Sequence, residues 1–216
     1  MFAINVRSAS ADAADKYLAC LAPLDVVKLV NPNASIERSC LILYSLPPLI
    51  PRFLTEKTSV SVGDADAVTG IYRHHVLTGT ATFEEQAPTT EEMLRRLTGL
   101  SKTGFPVLVA CTPDDSVLGF AYAGPYKARS AYRYTVENSI YVNPERIREG
   151  IGRALLLRLI SECRQREYKQ ILAVIGDSEN KSSIGLHRAC GFVHVGTADN
   201  LGFKFSRWLD VVFMQF

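Results

Sequence analysis

The 216-residue chain reads as an α/β or α+β domain preceded by an extension. Three observations carry that reading. From Thr58 onward the apolar residues recur alternately with a period of two and a period near 3.6, so strands and helices interleave. Two segments, Val107–Ala110 and Ile171–Ile175, are short unbroken apolar runs of the kind that a buried strand needs. Residues 1–56 lack this alternation and contain Asn31-Pro32-Asn33, Pro47-Pro48 and Pro51, which signal turns and extended connections.

Taken in order, Ser59–Val62 alternates like a strand, and Asp64 is placed to cap a helix from Ala65 to Val76 that carries the apolar residues Ala67, Val68, Ile71 and Tyr72. A second helix begins at Glu91-Glu92, whose charges suit a helix start, and stops before Gly104, with Met93, Leu94, Leu97 and Leu100 at helical spacing. Val107–Ala110 and Val117–Ala123 pair as a hairpin around Pro113-Asp114-Asp115, and Val136–Val142 is a third strand of this run. Ile151, Leu155, Leu159 and Cys163 recur every four residues in a strong helix. Ile171–Ile175 is a buried strand, and Asn180–Cys190 a short helix stopped by Gly191. Strands near 192–197 and 208–215 close the domain.

Composition removes several function classes. With 24 basic against 22 acidic residues, the net charge of +2 supplies no field that would draw a nucleic acid or an anionic membrane. The most apolar run, Leu41–Ile50, is half the ~20 residues a membrane helix needs and is broken by Pro47-Pro48. The five cysteines are scattered without metal-ligand spacing, and no HExxH is present, so no metal site is expected. Free thiols fit a reducing compartment, the cytoplasm. The start of the chain has neither the basic, acid-poor character of a transit peptide nor a basic segment followed by an apolar core.

The chemical signal begins at Gly150-Ile151-Gly152, which lies between a strand and a helix. Glycines there let backbone N–H groups at a helix start converge on an anion the size of a pyrophosphate. Leu155 stands where a GxGxxG dinucleotide loop would need its third glycine, and no Walker A spacing is present. Glu137, on the strand leading to this loop, is a carboxylate that could take a proton from an amine. A strand Glu is ordinarily a solvated or salt-bridged residue. His187 is a near-neutral acid or base, or an ordinary structural histidine.

The strand, loop, helix, strand, Asn180 helix and Gly191-Phe192 series resembles the acetyl-CoA-binding core of the GCN5-related N-acetyltransferase (GNAT) superfamily. The family's (Gln/Arg)-x-x-Gly-x-(Gly/Ala) loop falls on residues 147–152, with Ile147 at the first position between Arg146 and Arg148. A closer resemblance covers residues 58–216. Gly119–Arg129, Ala131-Tyr132, Thr135–Glu137, Gly202–Phe205 and Trp208–Gln215 are similar to the phosphinothricin and methionine sulfone N-acetyltransferases.

The resemblance implies a mixed, mostly antiparallel sheet of about seven strands, helices on both faces, and a splay between the fourth and fifth strands. It implies an N-acetyltransferase domain over 57–216, with residues 1–56 outside the pattern. Glu137 becomes the general base and His187 an assisting active-site residue. Acetyl-CoA would lie against Ile140, Tyr141, Val142, Arg148, Glu149, Gly150, Ile151, Gly152, Arg153 and Asn180. A small amino-acid-like amine would meet Thr80, Phe83, Lys127, Arg129 and Tyr132, with Arg129 the first choice for holding an acceptor anion by two parallel bonds. Relatives of this group also suggest a homodimer. A peptide N-terminus or polyamine as acceptor, or an acyl-CoA-binding module without catalysis, are the competing readings.

Overall fold

A computed structural model describes residues 55–216. Its elements are β1 (Thr55–Lys57), α1 (Val62–Thr78), α2 (Thr90–Lys102), β2 (Val107–Cys111), β3 (Val117–Pro125), β4 (Thr135–Val142), α3 (Ile151–Gln165), β5 (Gln170–Gly176), α4 (Lys181–Ala189), β6 (Val193–Lys204) and β7 (Arg207–Gln215). The seven strands form one sheet in the order β1-β2-β3-β4-β5-β7-β6. Every pairing is antiparallel except β4 with β5, which are joined through the α3 crossover.

The sheet is covered on both faces, which is why β2 is buried at every residue. On one side Leu108, Ala110, Leu118, Ala121 and Val136 meet α3 through Ile151, Leu155, Leu156 and Leu159. On the other, Val107, Val109, Phe120 and Tyr141 meet α1 and α2 through Val68, Ile71, Tyr72, Met93 and Leu97. The four-residue spacing read along α3 therefore marks a core face, and each fully buried leucine there contributes about 1.5–3 kcal/mol of transfer free energy.

Several expectations are corrected. Ser59–Val62 is not a strand: Ser61 is the N-cap of α1 and forms a reciprocal capping box with Asp64, so Asp64 sits one turn inside the helix. The strand in this region is β1, which pairs Thr55–Lys57 with Val109–Cys111. From α1, Ala65, Val68, Ile71 and Tyr72 are buried, and Ala67 is exposed. Finally, β6 runs to Lys204, well beyond residue 197, because it absorbs irregularities between His194 and Gly196 and between Ala198 and Gly202. The turn expected at Asn31-Pro32-Asn33, the apolar run Leu41–Ile50 and the extended connection at Pro47-Pro48 and Pro51 lie outside the described residues.

The splay is present where the resemblance puts it. Pairing of β4 with β5 stops at Asn138 opposite Ala173, although β4 continues to Val142 and β5 to Gly176. The far half of β4 is thus bonded on its β3 side and open on the other.

Candidate active site

Backbone alternation decides what the open edge offers. Asn143 N–H donates to Leu118 O on the β3 side, so the peptide groups of Val142 and Ile140 turn toward the gap and those of Tyr141 turn toward β3. Of the three residues expected to hold an extended ligand arm, two present backbone groups to the gap. Tyr141 instead places its ring in the core, 4.9 Å from Tyr72. His75, which the sequence did not single out, has Nε2 2.9 Å from Val142 O at this edge.

Beyond the gap lies the glycine loop. Gly150 is the N-cap of α3 at φ 83°, a left-handed conformation that suits glycine. The first intrahelical bond runs from Ala154 N–H to Gly150 O, so the N–H groups of Ile151, Gly152 and Arg153 have no helical acceptor and carry the positive end of the helix dipole. A Cβ on Gly152 would lie 3.3 Å from Leu186 Cδ2 and 3.5 Å from Val142 Cγ2, which explains how closely α3, α4 and β4 meet here. Arg146 is bound twice to Glu149, at 2.8 and 2.9 Å, so neither offers a free charge. Arg148 and Arg153 have no hydrogen-bonded or ion-paired partner among the described residues, and Ile147 faces solvent. Ile147 thus has a cation one residue to its C-terminal side and another in the first turn of α3.

The two residues expected to act on protons lie on opposite faces of the sheet. Val136 belongs to the α3-side core and Tyr141 to the α1-side core, so Glu137 shares a face with Tyr141, and Asn138 shares one with Val136. Glu137 is half-buried, has no hydrogen-bond or ion-pair partner among the described residues, and has its carboxyl pushed above the ordinary value by burial. Neither a salt bridge nor a solvated face describes it.

His187 does not meet Glu137. Its Nδ1 lies 2.8 Å from Ser183 O, an acceptor only, so Nδ1 carries the proton and donates. Its Nε2 lies 2.9 Å from Asn138 Nδ2 and accepts from that amide. The ring is 4% exposed, and burial lowers its pKa, which keeps it neutral. Both ring nitrogens are thus engaged within the protein, and His187 orients Asn138. Asn138 is the residue the sequence reading missed. Its Oδ1 is buried without a partner at the last paired position before the splay. The available signal was an amide interrupting the inward apolar series Val136, Ile140 and Val142.

The residues expected to meet the acceptor fall into two groups. Tyr126 and Tyr132 meet edge to face at 5.5 Å beyond β3, and Lys127 Nζ lies 5.1 and 6.0 Å from their ring centres. Lys127 is thus engaged with aromatic faces. The Arg129 side chain is exposed, and its guanidinium has no hydrogen-bonded or ion-paired partner among the described residues. Thr80 and Phe83 lie on the α1–α2 connection, packed against Gly176 and Gly202. No hydrogen bond, ion pair or ring contact joins these groups among the described residues. Asn180 caps α4 by accepting from Ser183 N–H at 3.2 Å.

Among the described residues no His, Cys, Asp and Glu cluster could hold a metal, and no helix is long and apolar enough to cross a membrane.

Comparison with known proteins agrees with this geometry. The model of the acetyltransferase (GNAT) domain matches residues 58–213. A phosphinothricin N-acetyltransferase from Alcaligenes faecalis is 51% identical over 152 residues, covering 70% of this chain and 77% of that protein. An L-methionine sulfoximine/L-methionine sulfone acetyltransferase from Salmonella typhimurium is 39% identical over 152 residues, covering 70% and 88%. A crystal structure of a GNAT superfamily phosphinothricin acetyltransferase from Sinorhizobium meliloti in complex with acetyl-CoA superimposes with a TM-score of 0.72 at 42% identity, covering 76% of this chain and 88% of that one.

Proposed function

The chain belongs to the GNAT acetyltransferase family, and we propose that it transfers the acetyl group of acetyl-CoA directly to the α-amine of a small amino-acid-like acceptor of the phosphinothricin, methionine sulfone or methionine sulfoximine type. The observation that carries this reading is Glu137, a half-buried carboxylate without a partner among the described residues, three residues before an open strand edge.

Glu137 takes the proton from the acceptor's ammonium, giving the neutral amine that attacks the thioester carbonyl. The new C–N bond forms as the C–S bond breaks; the proton shed by the acylated nitrogen goes to the CoA thiolate, which leaves as the thiol, and Glu137 returns its own proton to water. The open N–H groups of Ile140 and Val142 pair with the pantetheine arm and polarise the carbonyl as charge develops on its oxygen. Asn138 Oδ1 supplies a buried acceptor for an amide N–H of that arm, held in place by His187. Arg148, Arg153 and the free amides at the start of α3 hold the pyrophosphate, while Glu149 restrains Arg146. Asn180 reaches the pantetheine from the start of α4. Arg129 holds the acceptor's anionic group, with Thr80, Phe83, Lys127 and Tyr132 forming its surroundings.

The protein is further proposed to work as a homodimer in the cytoplasm, its acetyltransferase domain comprising residues 57–216 with the pairing residues Thr55 and Glu56 added. The exposed apolar side chains of Leu201, Phe203 and Trp208 on the β6–β7 hairpin support the dimer, and the free thiols of Cys111, Cys163 and Cys190 support a reducing compartment. Sedimentation as a single 23.9 kDa chain, or recovery outside the cytoplasmic fraction, would remove those assignments.

The function is tested by incubating the protein with acetyl-CoA and a panel of amines while following free thiol. Methionine sulfone, methionine sulfoximine or phosphinothricin should release thiol faster than polyamines or peptides. A panel with no release, or with peptides ahead, would sink the proposal.

A further inference from the structure

Lys204, the last residue of β6, is only 1% exposed, yet its ammonium has no carboxylate partner in an ion pair among the described residues. Its Nζ donates to Gly79 O at 2.9 Å and Thr82 O at 2.7 Å and lies 4.9 Å from the Phe205 ring centre. Glu84 and Glu85 act on it only through space, and burying an ammonium without a contacting carboxylate is costly compared with an apolar side chain of similar length. The two carbonyls flank Thr80 and Ala81 in a connection with no regular secondary structure, so Lys204 supplies donors that a neighbouring strand would otherwise provide.

The rest of the packing makes that connection a fitted part. A Cβ on Gly176 would lie 2.3 Å from Thr80 O, and one on Gly202 would lie 2.0 Å from Phe83 Cε1. Gly202 and Lys204 are two apart in β6 and face the same side, so one strand holds both the Phe83 ring and the backbone around Thr80. Tyr72 Oη meets Thr82 Oγ1 at 3.2 Å from α1.

We propose that Lys204 is a positioning residue that clamps residues 79–83 into the wall of the acceptor pocket and so sets affinity for the acceptor without setting affinity for acetyl-CoA. This rests on the acceptor assignment of Thr80 and Phe83 made under Proposed function. Lys204→Met keeps the length and removes the donors. Loss of two charge-assisted bonds should raise the acceptor KM by roughly tenfold or more, with kcat and the acetyl-CoA Kd within about twofold of the wild type. Amide exchange should quicken in residues 79–83 and stay unchanged in β2.

Unchanged exchange in 79–83 would overturn the clamp. So would an acetyl-CoA Kd that worsens in step with the acceptor KM, because that marks a general loss of structure. If Lys204→Met does not fold, Lys204→Gln takes its place: its neutral amide ends one bond short of the Nζ position and cannot span both carbonyls. A raised acceptor KM with unchanged acetyl-CoA Kd supports the clamp, and wild-type KM and loop exchange overturn it. Loop exchange is measured without substrate, so an inactive wild type would remove the acceptor assignment while the clamp still stood or fell on residues 79–83.

Discussion

Glu137→Gln is expected to lower kcat by about 100-fold or more, the range of a lost general base, and to leave the acetyl-CoA Kd within about twofold. The substitution keeps the shape and removes the charge. It should also show a stability signature that a simple defect would not. Burial raises the Glu137 pKa above its ordinary 4.5 in the folded state, so between the two values the folded protein holds a proton that the unfolded chain has released. Stability conferred by this group is therefore lost as pH rises through that window, and at neutral pH the ionised carboxylate is a cost. The Gln variant should unfold at the same temperature as the wild type or higher at pH 7, with the difference shrinking below pH 4.5. In the wild type, kcat/KM should fall on acidification toward the raised pKa. Unchanged turnover in Glu137→Gln would move the base elsewhere.

Reversing Arg148 and Arg153 together to Glu is expected to weaken acetyl-CoA binding by roughly 100-fold at low salt, since attraction to a pyrophosphate becomes repulsion at two points. The fold is not at risk: Arg148 is exposed, and an acid at position 153 lies in the first turn of α3, where the helix dipole favours it. The defect should shrink toward 1 M salt, where the Debye length falls to about 3 Å. Acetyl-pantetheine, which lacks the pyrophosphate, separates the charge effect from damage to the gap. Equal loss with acetyl-pantetheine and acetyl-CoA would mean that the arginines do not act on the pyrophosphate.

Much of this was legible along the chain because periodicity reports which faces are buried. The leucines of α3, the apolar run of β5 and the Gly150-Ile151-Gly152 loop all stand where the pattern places them. Ser59–Val62 misled because alternating Ser and Val fits a strand as well as a cap followed by a helix start. The choice was made by Asp64 reaching back to Ser61. The site was legible as a set of residue types, but not in its wiring. That Glu137 and His187 occupy opposite faces follows from strand parity and the helix above, and that His187 is spent on Ser183 and Asn138 depends on contacts 4 and 49 residues away. Lys204 reads in sequence as an ordinary surface cation, because its partners are carbonyls more than 120 residues earlier.

Amide hydrogen exchange of the full-length protein, with and without acetyl-CoA, tests the proposed site most directly. Slowed exchange at Ile140 and Val142, where the β4 edge is open, and at Ile151, Gly152 and Arg153, at the start of α3, is the expected footprint. Exchange unchanged at these amides, with protection appearing on another face of the sheet, would contradict the placement of acetyl-CoA in the gap between β4 and β5.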